Sequence, residues 1–152
     1  MFKALLRGII CVTMLMGGGM QKQTVQEYLV DCSQATIIVD NKYINIENVK
    51  QLNDVINDMI KDSHTMPAFG VSIHIETLSA IQNGVWLKLQ YNGTQSVDDM
   101  VFDELLIEVN PKFGGFNIIR GNRGIYDGRC FYIDLVDKNM STLYNFILLQ
   151  ST

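Results

Sequence analysis

Two hydrophobic periods run along this chain, and the change from one to the other organises it. Between 46 and 62, Ile46, Val49, Leu52, Val55, Ile56, Met59 and Ile60 fall on one helical face, while Asn48, Asn53, Asp54, Asn57 and Lys61 fall largely on the other. That spacing predicts the main amphipathic helix of the chain. Asn45 is expected to cap its first free amides, and Pro67, lacking an amide hydrogen, stops any continuation. A shorter helix is expected over 23–31, where Val25, Tyr28 and Leu29 share a face. A last one is expected over 141–150, with Leu143, Tyr144, Ile147 and Leu148.

Elsewhere the period is two. Segments 36–39 and 42–46 are β-rich, and Asp40-Asn41 between them suits a two-residue hairpin turn, because both side chains tolerate positive φ. Val71, Ile73 and Ile75 alternate with Ser72 and His74, predicting a strand over 71–75. Val85, Leu87, Leu89 and Tyr91 alternate with Trp86, Lys88 and Gln90. Further strands are expected over 105–109, 116–120 and 129–135; in the last, Phe131, Ile133 and Leu135 face one way, and Cys130, Tyr132 and Asp134 the other. Turn signals stand at Asn83-Gly84, Asn92-Gly93, Gly114-Gly115, 121–124 and Asp127-Gly128. Alternation implies one covered and one wetter face, which favours antiparallel pairing. The expected fold is therefore α+β: an antiparallel sheet of about five to seven strands, with the main amphipathic helix packed on a face and a C-terminal helix. No repeat, low-complexity tract or linker interrupts it, so 20–152 reads as a single domain.

The first 19 residues are different. MFKALLRGIICVTMLMGGGM has Lys3 and Arg7, then an apolar run, then Gly17, Gly18 and Gly19, the layout of an export signal. The run is shorter than the roughly 20 residues a spanning helix needs. Cys11 follows Ile10 inside the apolar run, which does not suit lipoprotein processing. A second origin is open: three glycine codons can contain a ribosome-binding sequence, and Met20 follows at once, so 1–19 is alternatively a translated upstream region. The first origin implies export, the second a cytoplasmic protein; a retained, uncleaved N-terminal helix is the third reading. Any membrane association is expected only through 1–19.

Charge narrows the partners. The chain carries a formal −4; removing the two positive charges of 1–19 leaves the body at −6. Such a body is a poor nucleic-acid binder, because phosphate neutralisation needs clustered Lys and Arg. It favours a basic protein partner.

The segments MPAFGVS (66–72), FNIIR (116–120) and YDGRCFYIDL (126–135) resemble uncharacterised small proteins of low-GC Gram-positive bacteria. The likeness covers most of the body from about Tyr28 onward. It implies no activity, ligand or fold and supplies no site residues.

Candidate chemistry is sparse. His64 and His74 lack the i, i+4 spacing and nearby cysteines of a metal site, so no metal or cofactor is expected. Asp98, Asp99, Asp103 and Glu104 form an acidic cluster, expected to be a solvated loop or helix cap. It lacks the spacing and glycine of a helix–loop–helix calcium site. The most distinctive polar segment is GNRGIYDGR, 121–129. It lacks both phosphate-loop patterns, but Arg120, Arg123 and Arg129 could grip a carboxylate or phosphate, with Tyr126 stacked beside them. No serine stands in a nucleophile pattern. Cys32 and Cys130 are expected to be buried apolar side chains, or a disulfide if the chain is exported.

Two functions follow as expectations. The first is a non-enzymatic protein-binding or accessory domain. The second is a small-molecule or anion binder, or an enzyme, built on Arg120, Arg123, Tyr126 and Arg129. Convergence of Arg120, Arg129 and Asp103 in one concave pocket favours the second, and a convex, solvated loop the first.

Overall fold

The computed structural model describes residues 23–67 and 70–152, so the segment 1–19 lies outside the described residues. The fold is α+β, as the two periods imply. In chain order the elements are α1 (Val25–Leu29), β1 (Gln34–Val39), β2 (Lys42–Asn45), α2 (Val49–Ile60), β3 (His64–Met66), β4 (Val71–Ser72) and α3 (His74–Ala80). Then come β5 (Val85–Val97), β6 (Met100–Glu108), β7 (Gly115–Gly121), β8 (Gly128–Arg129), β9 (Phe131–Asp134) and α4 (Ser141–Gln150). Seven strands form one sheet in the order β2-β1-β5-β6-β7-β9-β3, and β4 pairs with β8 in a second, two-stranded sheet. Every pairing is antiparallel. No helix among the described residues is long and apolar enough to cross a membrane.

Alternation along the strands sorts side chains to two faces. On the first, Ile37, Leu87, Leu105, Ile107, Ile118 and Ile133 are fully buried and join Leu29, Leu52, Ile56, Leu143 and Ile147 of α1, α2 and α4 in one core. Each such side chain contributes about 1.5–3 kcal/mol relative to an exposed one. On the second face, Ile38, Trp86, Leu106 and Ile119 build a smaller core with Ile81, Tyr126 and Cys130. Cys32 lies in the first core and Cys130 in the second, and both are free thiols. The sheet stands between them.

Several boundaries differ from the periodic reading. The main helix begins at Val49, and its cap is Asn48, whose side chain accepts from the Gln51 amide at 3.0 Å; Asn45 ends β2 instead. The helix stops at Ile60, before Pro67 can act, because Asp62 (φ 64°) turns the chain into β3. β5 runs on through Asn92-Gly93, where a turn was expected. Six residues of β5, from Gln90 to Gln95, there face three of β6, from Glu104 to Phe102, so the extra residues are taken up as an irregularity inside the strand. The hairpin turn falls on Asp98-Asp99 (φ 49° and 67°), which moves the start of the next strand from 105 back to Met100.

The largest correction concerns 71–75. Only Val71–Ser72 is strand; the chain then forms α3 from His74. Ile73, Thr77 and Ile81 are four apart, and of these Thr77 and Ile81 are buried. The helix begins where it does because a carboxylate distant in sequence meets its first amide: Asp127 Oδ1 accepts from His74 N at 2.7 Å. The strand over 129–135 is likewise interrupted. β3 pairs with β9 and β4 with β8, so the two pairs form one ribbon, broken where Cys130 N donates to Gly70 O at 3.2 Å. The register changes between Met66↔Tyr132 and Val71↔Arg129. The end of the ribbon thereby leaves the main sheet and, with α3, forms a thin layer on the second face.

Candidate functional site

A group of long-range side-chain hydrogen bonds lies where this thin layer meets the sheet. Tyr126 is its centre. The ring is buried in the smaller core, and its hydroxyl donates to Glu104 Oε2 in a short hydrogen bond. Burial first, then the hydrogen bond and charge of Glu104, push the phenol well above its ordinary pKa. Gly121 makes this approach possible: a Cβ there would stand 2.7 Å from both the Tyr126 ring and the Glu104 side chain. Glycine at the end of β7 is thus required by close packing rather than by a turn.

The backbone around Tyr126 is tied to α3 and β4. Tyr126 N donates to His74 Nδ1 at 3.1 Å, and the two rings stack with centroids 5.8 Å apart and planes 18° from parallel. Ser72 Oγ lies 2.9 Å from Tyr126 O and 3.2 Å from Gly128 O, both acceptors. With the Asp127 bond to His74 N, these contacts form a latch between two segments more than 50 residues apart. Each donor contributes about 1 kcal/mol, the Ser72 hydroxyl sharing its one proton between two carbonyls.

The four residues singled out by sequence do not converge. Arg120 donates from Nε to Arg129 O and from Nη1 to Val101 O, both at 2.7 Å, so its guanidinium ties two carbonyls together. Gly128 leaves room for it: a Cβ there would lie 2.6 Å from Arg120 Nη2. Burial lowers the pKa of Arg120. Arg123 is exposed at the centre of a two-residue turn with Gly124 (φ 53° and 79°), closed by the Asn122–Ile125 bridge. Its amide donates to Asp103 Oδ2 at 3.0 Å. Arg129 is exposed on β8. A polar depression of about 240 Å³ is lined by Arg123 together with Gln90, Thr94, Asp103 and Glu104, but by neither Arg120 nor Arg129. Its two carboxylates oppose an anionic ligand.

The acidic cluster divides in the same way. Asp98 and Asp99 make the hairpin turn, Asp103 accepts from Arg123, and Glu104 is buried under Tyr126. Sequence reasoning missed Glu104 and His74 as partners of Tyr126, since the strand pairing that joins them is long-range. Among the described residues, no group of three or more His, Cys, Asp or Glu is placed to hold a metal ion.

Exposed apolar side chains gather along β4 and α3. Val71 (67% exposed), Ile73 (52%), Ile75 (77%) and Leu78 (41%) stand within eight residues of sequence. Val71 and Ile73 also line a groove of about 470 Å³ between the layer and the sheet, with Ala80, Ile119, Cys130 and Tyr132. A periodic strand reading hid this surface, because it assigned Ile73 and Ile75 to a buried face. No protein-family model, curated protein or solved structure matches this chain.

Proposed function

We propose that this domain is a non-enzymatic binding module that docks another protein through the apolar strip of β4 and α3. The observation that carries the reading is the exposure of Val71, Ile73, Ile75 and Leu78 along β4 and α3, the first two of which line the groove. Large apolar side chains concentrated in one short exposed segment mark interaction sites more often than scattered ones do. The groove offers depth for one anchoring side chain, and Glu76 on its lining gives the rim a negative charge. A partner segment that presents an apolar anchor flanked by Lys or Arg fits both features, and it fits a body of net −6, the chain's −4 without the two charges of 1–19.

The polar contacts support this over the anion-binding reading. Arg120 is engaged by two carbonyls, Tyr126 by Glu104, and Ser72 by two carbonyls. Each of these groups holds the layer in place.

The test is a photo-crosslinking side chain installed at Ile75, with one at Asp54 on the far helix as control, in the source organism. A discrete adduct from position 75 alone is expected. Ile75→Glu together with Leu78→Glu should then weaken binding of the purified adduct partner by at least about tenfold, as loss of an apolar anchor does. Thermal unfolding should be unchanged, because both side chains are exposed. Equal labelling from both positions, or binding indifferent to the double substitution, overturns the proposal.

A further inference from the structure

The latch has an asymmetry toward acid. Its groups and their charged neighbours are His74 and Glu76 of α3, Asp127, Arg123, Arg129 and Tyr126 of the β7–β9 connection, Arg120 of β7, Asp103 and Glu104 of β6, and Tyr43 of β2. A carboxyl group that takes up a proton still presents an oxygen, so Asp127, Asp103 and Glu104 can keep accepting the bonds they accept now. The arginines stay cationic and the tyrosines neutral as pH falls. Histidine behaves differently. Nδ1 of His74 is the acceptor for the Tyr126 amide, and an imidazolium carries a proton on both nitrogens. Protonation at Nδ1 therefore sets a donor against a donor, at the bond that joins α3 to the β7–β9 connection.

We infer that His74 is an acid-sensitive catch: its protonation releases α3 and β4 from the second face of the sheet, while the first core stays closed. The junction is thin enough for this to happen. β4 is two residues long, α3 is seven, and Thr77 is the buried residue within α3. Beneath them lies Cys130, buried in the smaller core and on the lining of the groove. Cys32, in the larger core on the opposite face, is a built-in reference. The inference rests on the latch geometry and not on the docking proposal; it is measured with no partner present.

The experiment follows Cys32 and Cys130 in the full chain with an aromatic disulfide reagent that works in acid, each modified cysteine, Cys11 included, being identified by peptide mapping. The measured quantity is the labelling rate of Cys130 relative to Cys32 as the solution is taken from neutral into mild acid. The ratio is expected to rise about tenfold, the scale set by leaving a buried amide unpaired. In His74→Asn, whose side-chain oxygen can accept the Tyr126 bond without titrating, the ratio should stay flat. Nuclear magnetic resonance on the unsubstituted protein supplies a readout that needs no variant: the His74 ring and the Tyr126 amide should titrate with the midpoint of Cys130 exposure. A flat ratio in the parent, an equal rise in His74→Asn, or a Cys130 midpoint that departs from that of His74 overturns the inference.

Discussion

On one face of the sheet, three helices bring Leu29, Leu52, Ile56, Leu143 and Ile147 down onto strands buried over most of their length. On the other, a seven-residue helix, a two-stranded ribbon end and a glycine-bearing connection cover Ile38, Trp86, Leu106 and Ile119. The first cover is held by area, which is non-directional and tolerant of small shifts. The second is held by few apolar side chains and by directional bonds: Tyr126 to Glu104 and His74, Asp127 to His74, and Ser72 and Arg120 to carbonyls. Directional bonds can be lost one at a time. The comparison thus teaches that the two faces should fail differently, and that the second is suited to opening without unfolding.

The largest expected effect tests the first face. Ile56→Asp places an unpaired charge where the side chain has no exposure, and should cost several kcal/mol. Denaturant unfolding should show both cores lost together, with Cys32 and Cys130 becoming reactive in one transition. Persistence of a protected Cys32 in that variant would mean the helices are not the foundation of the fold. Gly121→Ala comes next. Its methyl would enter the space of Tyr126 and Glu104, at a cost of about 1–3 kcal/mol. Here Cys130 should become reactive while Cys32 stays protected, and simultaneous exposure would erase the distinction between the faces. Tyr126→Phe is milder, at about 1–2 kcal/mol, because the ring keeps its packing and Glu104 also borders the polar depression, where water can solvate it. Calorimetry against the parent protein measures this, and a loss as large as that of Ile56→Asp would mean that Glu104 is isolated from solvent.

The same division explains what could be read from sequence. The stripe of Leu52, Ile56, Met59 and Ile60 announced α2, and Asp40-Asn41 (φ 51° and 60°) announced the first hairpin, because each signal is complete within its own segment. The elements of the second face depend on partners far along the chain. α3 starts at His74 because of Asp127, and Tyr126 is fixed by Glu104, 22 residues away. A local reading therefore took His74 into a strand, placed Glu104 in a solvated cluster and gave Tyr126 to a ligand. The arginines were legible as a distinctive group, but not their destinations, since Val101 O becomes a neighbour of Arg120 only through the sheet.

The smallest effect compares the two thiols directly. Both are buried, and burial pushes both pKa values up from the ordinary thiol range. Cys32 is pushed up to about 11; its own backbone contact opposes the burial, while the charge of Asp31 adds to it. Around Cys130, burial is the largest influence and is opposed by Ser72 and by the positive charge of Arg120, which favour the thiolate. The sign follows from linkage. A thiol whose pKa is higher in the folded state stabilises that state fully below its unfolded value, and the stabilisation is lost as pH rises toward the folded value. For Cys32 that window runs from its ordinary value of 9.0 to about 11. Alkali should therefore weaken the fold through this window, and Cys130 should ionise before Cys32. Thiolate ultraviolet absorbance, followed in two variants that each keep one of the two body thiols and replace the other and Cys11 by serine, gives the order. Ionisation of Cys32 first would show that Arg120 and Ser72 do not act on Cys130 in the way their positions require, and that the polar face is no more open to charge than the apolar one.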